Sequence, residues 1–330
     1  AVYALTNSSA GNAVLTFERG ADGSLGPAVS TPSGGLGSGA GLGSQGAVIV
    51  ADHGDTLFAL NAGSDSVSSF DITKHGLRLV DTELSGGDLP ISLTYDHGTL
   101  YVLNGGTPNS ISGLSVDKRG GLTPLPGSTR SLSTASTNPA QVEFTPDGRV
   151  LVVSEKGTNR LTSYVVDKSG LVGPPTAYAS SGVTPFGFAF TSKGDLIVSN
   201  AASTGASSYS VGRDGVIAPI TPLAATGQPA ACWTVVSRNG RYAYTANTGA
   251  GSVSSYAIGH DGSISLLAGV AATTGGSPAD AAISGDGRFL YVRNGAHGAI
   301  NALRIGADGG LSPLASTTGL PAGSVGLAAG

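Results

Sequence analysis

Methionine is missing from this chain altogether and cysteine nearly so, with Cys232 alone among 330 residues. One thiol excludes an internal disulfide and any zinc site built on cysteines. Charge is scarce too, at 12 % of residues against about 25 % in an average soluble domain. The net charge of −4 and the pI near 5.7 leave no basic footprint for nucleic acid or an anionic membrane. No apolar run approaches the roughly 18 residues of a membrane span. No segment carries a sustained 3.6-residue apolar period with caps, so helix is nearly excluded. The opening AVYALTN reads as a strand. With no start methionine, it fits either a trimmed chain or a mature exported protein that has lost its leader. Five lysines and abundant Ser, Thr, Gly and Ala favour the secreted reading.

What the chain has in quantity is glycine, 53 residues, and a repeat. The turn YDHGTL (95–100) recurs as TPDGRV, TSKGDL, SRNGRY and SGDGRF, with ADHGDT (51–56) preceding them. Their glycines stand at 54, 98, 148, 194, 240 and 287. A second set of Gly turns runs out of phase at 23, 76, 121, 170, 215, 262 and 309, which makes seven copies of about 47 residues. Each copy resolves into four short strands, as in ACWTVV, RYAYTAN, SVSSYAI and SISLLAG, joined by Asn-Gly or Asp-Gly turns that suit right-handed strand twist. Four strands per repeat predict an all-β, seven-bladed β-propeller in a single domain. The repeats fall at about 1–46, 47–90, 91–139, 140–185, 186–230, 231–279 and 280–322. The first lacks its innermost strand, and SVGLAAG (324–330) supplies it, removing an open edge.

In such a ring, one face carries the loops between second and third strands and the entries to the innermost strands. The other carries the tight Gly turns. His53, His75, His97 and His260 fall in those tight turns, where a solvated turn residue is the ordinary reading. His297 reaches the loop face, joined by a few charges: Asp65, Asp88, Glu155, Lys156, Arg160, Asp280 and Arg293. Asp280 enters an innermost strand and is expected to point at the channel. SEKGTNR (154–160) sets Glu155 and Lys156 at the channel mouth, where comparable loops read LNAGSDS, ANTGAGS and RNGAHGA. An exposed loop charge or a blade-to-blade ion pair explains that pair as readily as a carboxylate tuned for proton transfer.

GLGSQG (41–46) matches the dinucleotide pattern but precedes a strand instead of opening a helix, so it is a chance match. It belongs to a long Gly-rich connection, TPSGGLGSGAGLGSQG, expected to be a flexible flap over the mouth. No metal-ligand spacing and no cofactor motif is visible, and neither a metal nor a cofactor is expected. Cys232 reads as a buried structural thiol. Trp233, Phe186 and Phe188 either line an apolar mouth or pack between blades.

The repeat style, P-x-x-x-x-x-s-x-D-G-R-x-x-Y-V-x-N with S-V-S-x-Y-x-I, resembles the seven-bladed lactonase family. That family includes bacterial 6-phosphogluconolactonases and fungal carboxymuconate lactonising enzymes, and the style looks closest to its exported actinobacterial branch. The resemblance implies an arginine and a glutamate at the cup. Glu155 occupies the glutamate position, while Ala140 and Gln141 stand where Arg-His is expected. Ile91 and Ser92 replace a histidine position, and Ala201 sits where the family often has N-R-G-H.

The resulting expectation is a monomeric lactonase-like hydrolase with a small lactone or ester as substrate. Glu155 would act as general base, and Lys156, Arg160 or Arg293 would hold the substrate oxygen, with His297 a possible replacement charge. Asn200, Asn247, Phe186, Trp233 and Asp280 would line the binding surface. The alternative is a non-catalytic exported propeller that binds a glycan, peptide or envelope partner on its loop face.

Overall fold

A computed structural model describes residues 1–51 and 54–330; His53 lies outside the described residues. Among those residues there are 29 strands and no α-helix. The first blade holds β1 (Val2–Leu5), β2 (Ala13–Arg19) and β3 (Leu25–Pro32), and the second β4 (Val48–Ala51), β5 (Thr56–Asn61), β6 (Ser66–Thr73) and β7 (Gly76–Leu84). The third holds β8 (Pro90–Asp96), β9 (Thr99–Asn104), β10 (Ser110–Val116), β11 (Leu122–Pro124) and β12 (Arg130–Ser131). The fourth holds β13 (Pro139–Phe144), β14 (Val150–Glu155), β15 (Arg160–Val165) and β16 (Thr176–Ala179). The fifth follows with β17 (Pro185–Phe190), β18 (Leu196–Asn200), β19 (Gly205–Val211) and β20 (Ile217–Ala225). The sixth contains β21 (Ala231–Val236), β22 (Tyr242–Asn247), β23 (Ser252–Ile258) and β24 (Ile264–Thr273). The seventh contains β25 (Pro278–Ile283), β26 (Phe289–Asn294), β27 (Ala299–Ile305) and β28 (Leu311–Thr318), and β29 (Val325–Ala329) ends the chain.

Seven antiparallel sheets result, and β29 pairs with β1, so the last strand completes the first blade. The Gly330 amide donates to the Ala1 carbonyl at 3.0 Å, which holds the two ends together. Blade three departs from four continuous strands. Its outer edge breaks into β11 and β12, both on β10, because Pro124 and the Pro126-Gly127 turn interrupt the ladder.

The two families of Gly turns do different work. In three of the first, TPDGRV, SRNGRY and SGDGRF, a Ser or Thr hydroxyl donates to the turn's Asp or Asn and accepts the amide that re-enters the sheet. Ser284 Oγ–Asp286 at 2.6 Å and Phe289 N–Ser284 at 3.0 Å show this. The second family receives pins from the preceding blade. Tyr101 donates to the Gly170 carbonyl, Tyr244 to Gly309 and Tyr291 to Gly23, at 3.0–3.1 Å. The last of these crosses the closure seam. Gly23 has φ +93, and a Cβ there would lie 2.4 Å from the buried Phe289 ring. Gly23→Ala is therefore expected to cost about 2 kcal/mol through strain and overpacking, read as a lower denaturant midpoint with unchanged slope.

Candidate functional site: the central channel

The innermost strands β4, β8, β13, β17, β21, β25 and β29 surround a channel. Their inner edges have no strand partner, so their backbone groups need other ones. Two glutamines supply them. Gln141 on β13 accepts from the Phe188 amide at 2.7 Å and donates to the Phe188 carbonyl at 2.8 Å. Gln45, just before β4, does the same to Thr234 on β21, at 3.0 and 2.8 Å. Each side-chain amide thus imitates a peptide group. Gln45 fits because β17 carries no side chain at Gly187, where a Cβ would stand 2.1 Å from Gln45 Oε1.

Gln45 brings its own segment with it. Trp233 Nε1 donates to the Ser44 carbonyl at 3.0 Å, Ser44 Oγ to the Ile91 carbonyl at 2.7 Å, and Lys156 Nζ to the Gly43 carbonyl at 2.5 Å. The Gly-rich connection is therefore a fitted plug in the loop-face mouth, where a flexible flap was expected. The reason is polar: it bonds backbone groups on the inner edges of the strands, at Ile91, Leu93, Ala140 and Thr234.

Below the plug lies a lumen of about 600 Å³, with Ala51, Asp96 and His97 among its walls. Those residues end innermost strands or begin tight turns, so this cavity opens on the tight-turn face. Three carboxyl groups line it, Asp96 at the tight-turn end and Glu143 and Asp280 further in. Glu143, one residue before the end of β13, is part-exposed to the lumen and takes a 2.9 Å hydrogen bond from Gln141. Channel walls on every side strip its hydration and push its pKa up to about 8, against the opposing Gln141 bond. Asp280 sits one layer closer to the plug and is 1 % exposed. Burial raises it to about 7, opposed by the Arg293 charge and the Ala281 amide. Its backbone adopts φ +152, a region that L-residues avoid, and Oδ2 has no partner. Arg293 donates to the Ala279 carbonyl at 2.6 Å, and its Nε is also unpartnered. Asp280 thus combines a strained backbone with an unpaired buried oxygen, beside an unpaired Arg293 Nε.

Glu155 is elsewhere. It is fully buried and accepts from the Ser133 amide at 3.0 Å, and from Thr158 and Thr162 hydroxyls at 2.6 Å each. Ser133 Oγ is a further donor. It ends β14 as Asn61, Asn104, Asn200, Asn247 and Asn294 end β5, β9, β18, β22 and β26. Those asparagines use the same geometry: Asn200 donates to Ser207 at 2.8 Å and Asn247 to Ser254 at 2.8 Å. Glu155 thus fills the hairpin-bracing position of a sister asparagine and does not face the lumen. Asn200 and Asn247 are committed in the same way.

The remaining candidates scatter. Lys156 is held on the plug and stands 4.7 Å from the Phe186 ring centroid; burial lowers it to about 8. Arg160 and His297 are exposed on the outer side of the loop face. Phe186 and Trp233 meet at 5.0 Å beneath residues 43–44, and Cys232 beside them is buried, its thiol pushed up by desolvation. The structure therefore brings Asp280 to the lumen with Arg293 behind it, and leaves Glu155, Arg160 and His297 apart. Glu143 was missed, although a signal exists: PAQVEF and PADAAI are the innermost strands with an acid inside them, where others read PISLTYD, PFGFAF and ACWTVV. Among the described residues no cluster of metal-binding side chains is present, and no helix is long and apolar enough to cross a membrane.

The chain matches the family model described as "Lactonase, 7-bladed beta-propeller" over residues 109–229 and 198–325, and it belongs to that family. A putative 6-phosphogluconolactonase from Bacteroides fragilis superposes with a TM-score of 0.74 at 19 % identity, covering 99 % of this chain and 96 % of that one. The periplasmic gluconolactonase of Pseudomonas aeruginosa gives 0.72 at 20 % identity, over 98 % and 99 %. Virginiamycin B lyase from Staphylococcus aureus gives 0.59 at 14 % identity, over 83 % and 84 %. At these identities the superpositions speak for the fold. A search of curated protein sequences returned no significant match.

Proposed function

We propose that this protein is a lactonase-type hydrolase working in the channel lumen, with Glu143 as its general base. The observation that carries the reading is a part-exposed carboxyl, raised to about 8, on the wall of a 600 Å³ cavity. A base of that pKa matches proton transfer near neutral to mildly alkaline pH. Ionised Glu143 would take a proton from water as the water oxygen attacks the lactone carbonyl. The ring C–O bond then breaks, and the proton returns from Glu143 to the departing alkoxide. Family membership supports the lactone class, and low charge with few lysines supports an exported setting.

One observation favours a non-catalytic binding role instead: the Gln45 and Gln141 amides are committed to backbone groups, leaving neither free to hold an oxyanion. Base uptake at pH 8 over a panel of phosphorylated and unphosphorylated lactones separates the two. Turnover that falls about a hundredfold in Glu143→Gln supports hydrolysis at this site. Unchanged turnover in the variant removes Glu143 from the reaction. Saturable binding without turnover of any panel member favours the binding role.

A further inference from the structure

The plug residues are unlike an ordinary surface loop, because every polar contact beneath them is complementary to a peptide. Lys156 Nζ meets the Gly43 carbonyl and Trp233 Nε1 the Ser44 carbonyl, two successive acceptors on a loop segment that turns at Gly43, φ +60. The third residue, Gln45, donates its main-chain amide to the Ala140 carbonyl at 3.1 Å and its side-chain amide to Thr234. Phe186 and Trp233 form the apolar floor. The partner nearest in sequence is Ile91, which accepts from Ser44 Oγ across 47 residues; every partner lies in a blade beyond the plug, so the receptor belongs to the ring and the plug is its occupant. The plug is also tethered by permissive joints: Gly39, Gly43 and Gly46 all have positive φ, and residues 39–41 are exposed.

We propose that the loop-face cup is a peptide-binding site, held closed by residues 42–46 acting as an intramolecular ligand. The class of ligand follows from what the cup already holds. It is a short peptide offering two successive carbonyl oxygens and then a primary-amide side chain, with glycine first to take the left-handed turn, as in Gly-Ser-Gln. A free peptide of this kind competes with a tethered copy whose local concentration is high, so the closed form resists it until the plug's anchors weaken. This proposal is independent of hydrolysis in the lumen.

Trp233, the sole tryptophan, is 7 % exposed under Ser44 and reports directly on the plug. The probe is the peptide acetyl-Leu-Gly-Ser-Gln-Gly-amide, and the reading is acrylamide quenching of Trp233. In the unmodified protein quenching is expected to be weak and insensitive to the peptide. In Gln45→Ala it is expected to rise several-fold, and the peptide should restore shielding saturably, at least tenfold more effectively than a scrambled peptide. Trp233 remaining shielded in Gln45→Ala would overturn the proposal, as would exposure that the peptide fails to reverse. If Gln45→Ala does not fold, Lys156→Ala removes the Gly43 anchor alone and is read in the same way, with the same two overturning results.

Discussion

Glu155→Ala should unfold at markedly lower denaturant, by about 3 to 5 kcal/mol, for a reason unrelated to catalysis. The substitution strands the Ser133 amide and three hydroxyls, on Ser133, Thr158 and Thr162; Thr162 is fully buried like Glu155, while Ser133 and Thr158 are half-buried. Each buried donor left unpaired costs about 1 to 3 kcal/mol, and local rearrangement recovers part of the sum. Glu155→Gln keeps one acceptor oxygen and the shape, and should lose about 1 to 2 kcal/mol. A carboxylate facing a ligand cup would behave in the opposite way, with the fold hardly affected and turnover abolished. Urea unfolding of the three proteins at pH 7 distinguishes these patterns; an alanine variant as stable as the parent would contradict the hairpin-bracing role.

The second large effect concerns pH. Glu143 and Asp280 hold their protons in the folded protein up to about 8 and about 7, whereas in the unfolded chain they ionise near pH 4. Between those limits the folded state binds more protons, so stability should fall as pH rises from about 4.5 to 8. Asp286 acts in the other direction. Its pKa is held low, with burial opposing hydrogen bonds from Ser284 and Arg288 and the Arg19 charge, so its contribution is lost only on strong acidification. The most stable pH should therefore lie near 4 to 5. A three-step displacement bounds the Asp280 penalty at about 4 kcal/mol, and lumen water reduces the share of Glu143. Asp280→Asn should accordingly gain about 3 kcal/mol at pH 8, Glu143→Gln about 2, and neither should gain at pH 4. Thermal or urea unfolding across this range checks it; a profile rising from pH 5 to 8 would show both carboxyls ionised at ordinary values.

Most of the fold was legible because a propeller writes itself repeatedly. The Gly turns recur because hydroxyls from preceding blades, such as Tyr244 and Tyr291, need carbonyls at fixed places. The closing strand could be found because the first repeat was visibly one strand short. Asp280 was legible for a similar reason, being an acid at the entry of an innermost strand. Glu155 stood out by its charge, whereas its burial follows from its place in the register. Aligned with Asn61, Asn104 and Asn200 at the ends of their strands, it is a variant of a bracing residue. The plug was hidden for a different reason. TPSGGLGSGAGLGSQG has no periodicity to read, and its Gln45 bonds to Thr234, 189 residues away. Contacts of that span depend on ring closure, which no local pattern encodes.

The pH dependence of kcat/KM on whichever lactone is turned over best tests the central claim most directly, because it reports the essential base of the free protein. The lumen account predicts a rise through an apparent pKa near 8 that disappears, along with nearly all activity, in Glu143→Gln. A profile already level above pH 5, with Glu143→Gln as active as the parent, would place the chemistry on an ordinary carboxylate outside the lumen and contradict the account.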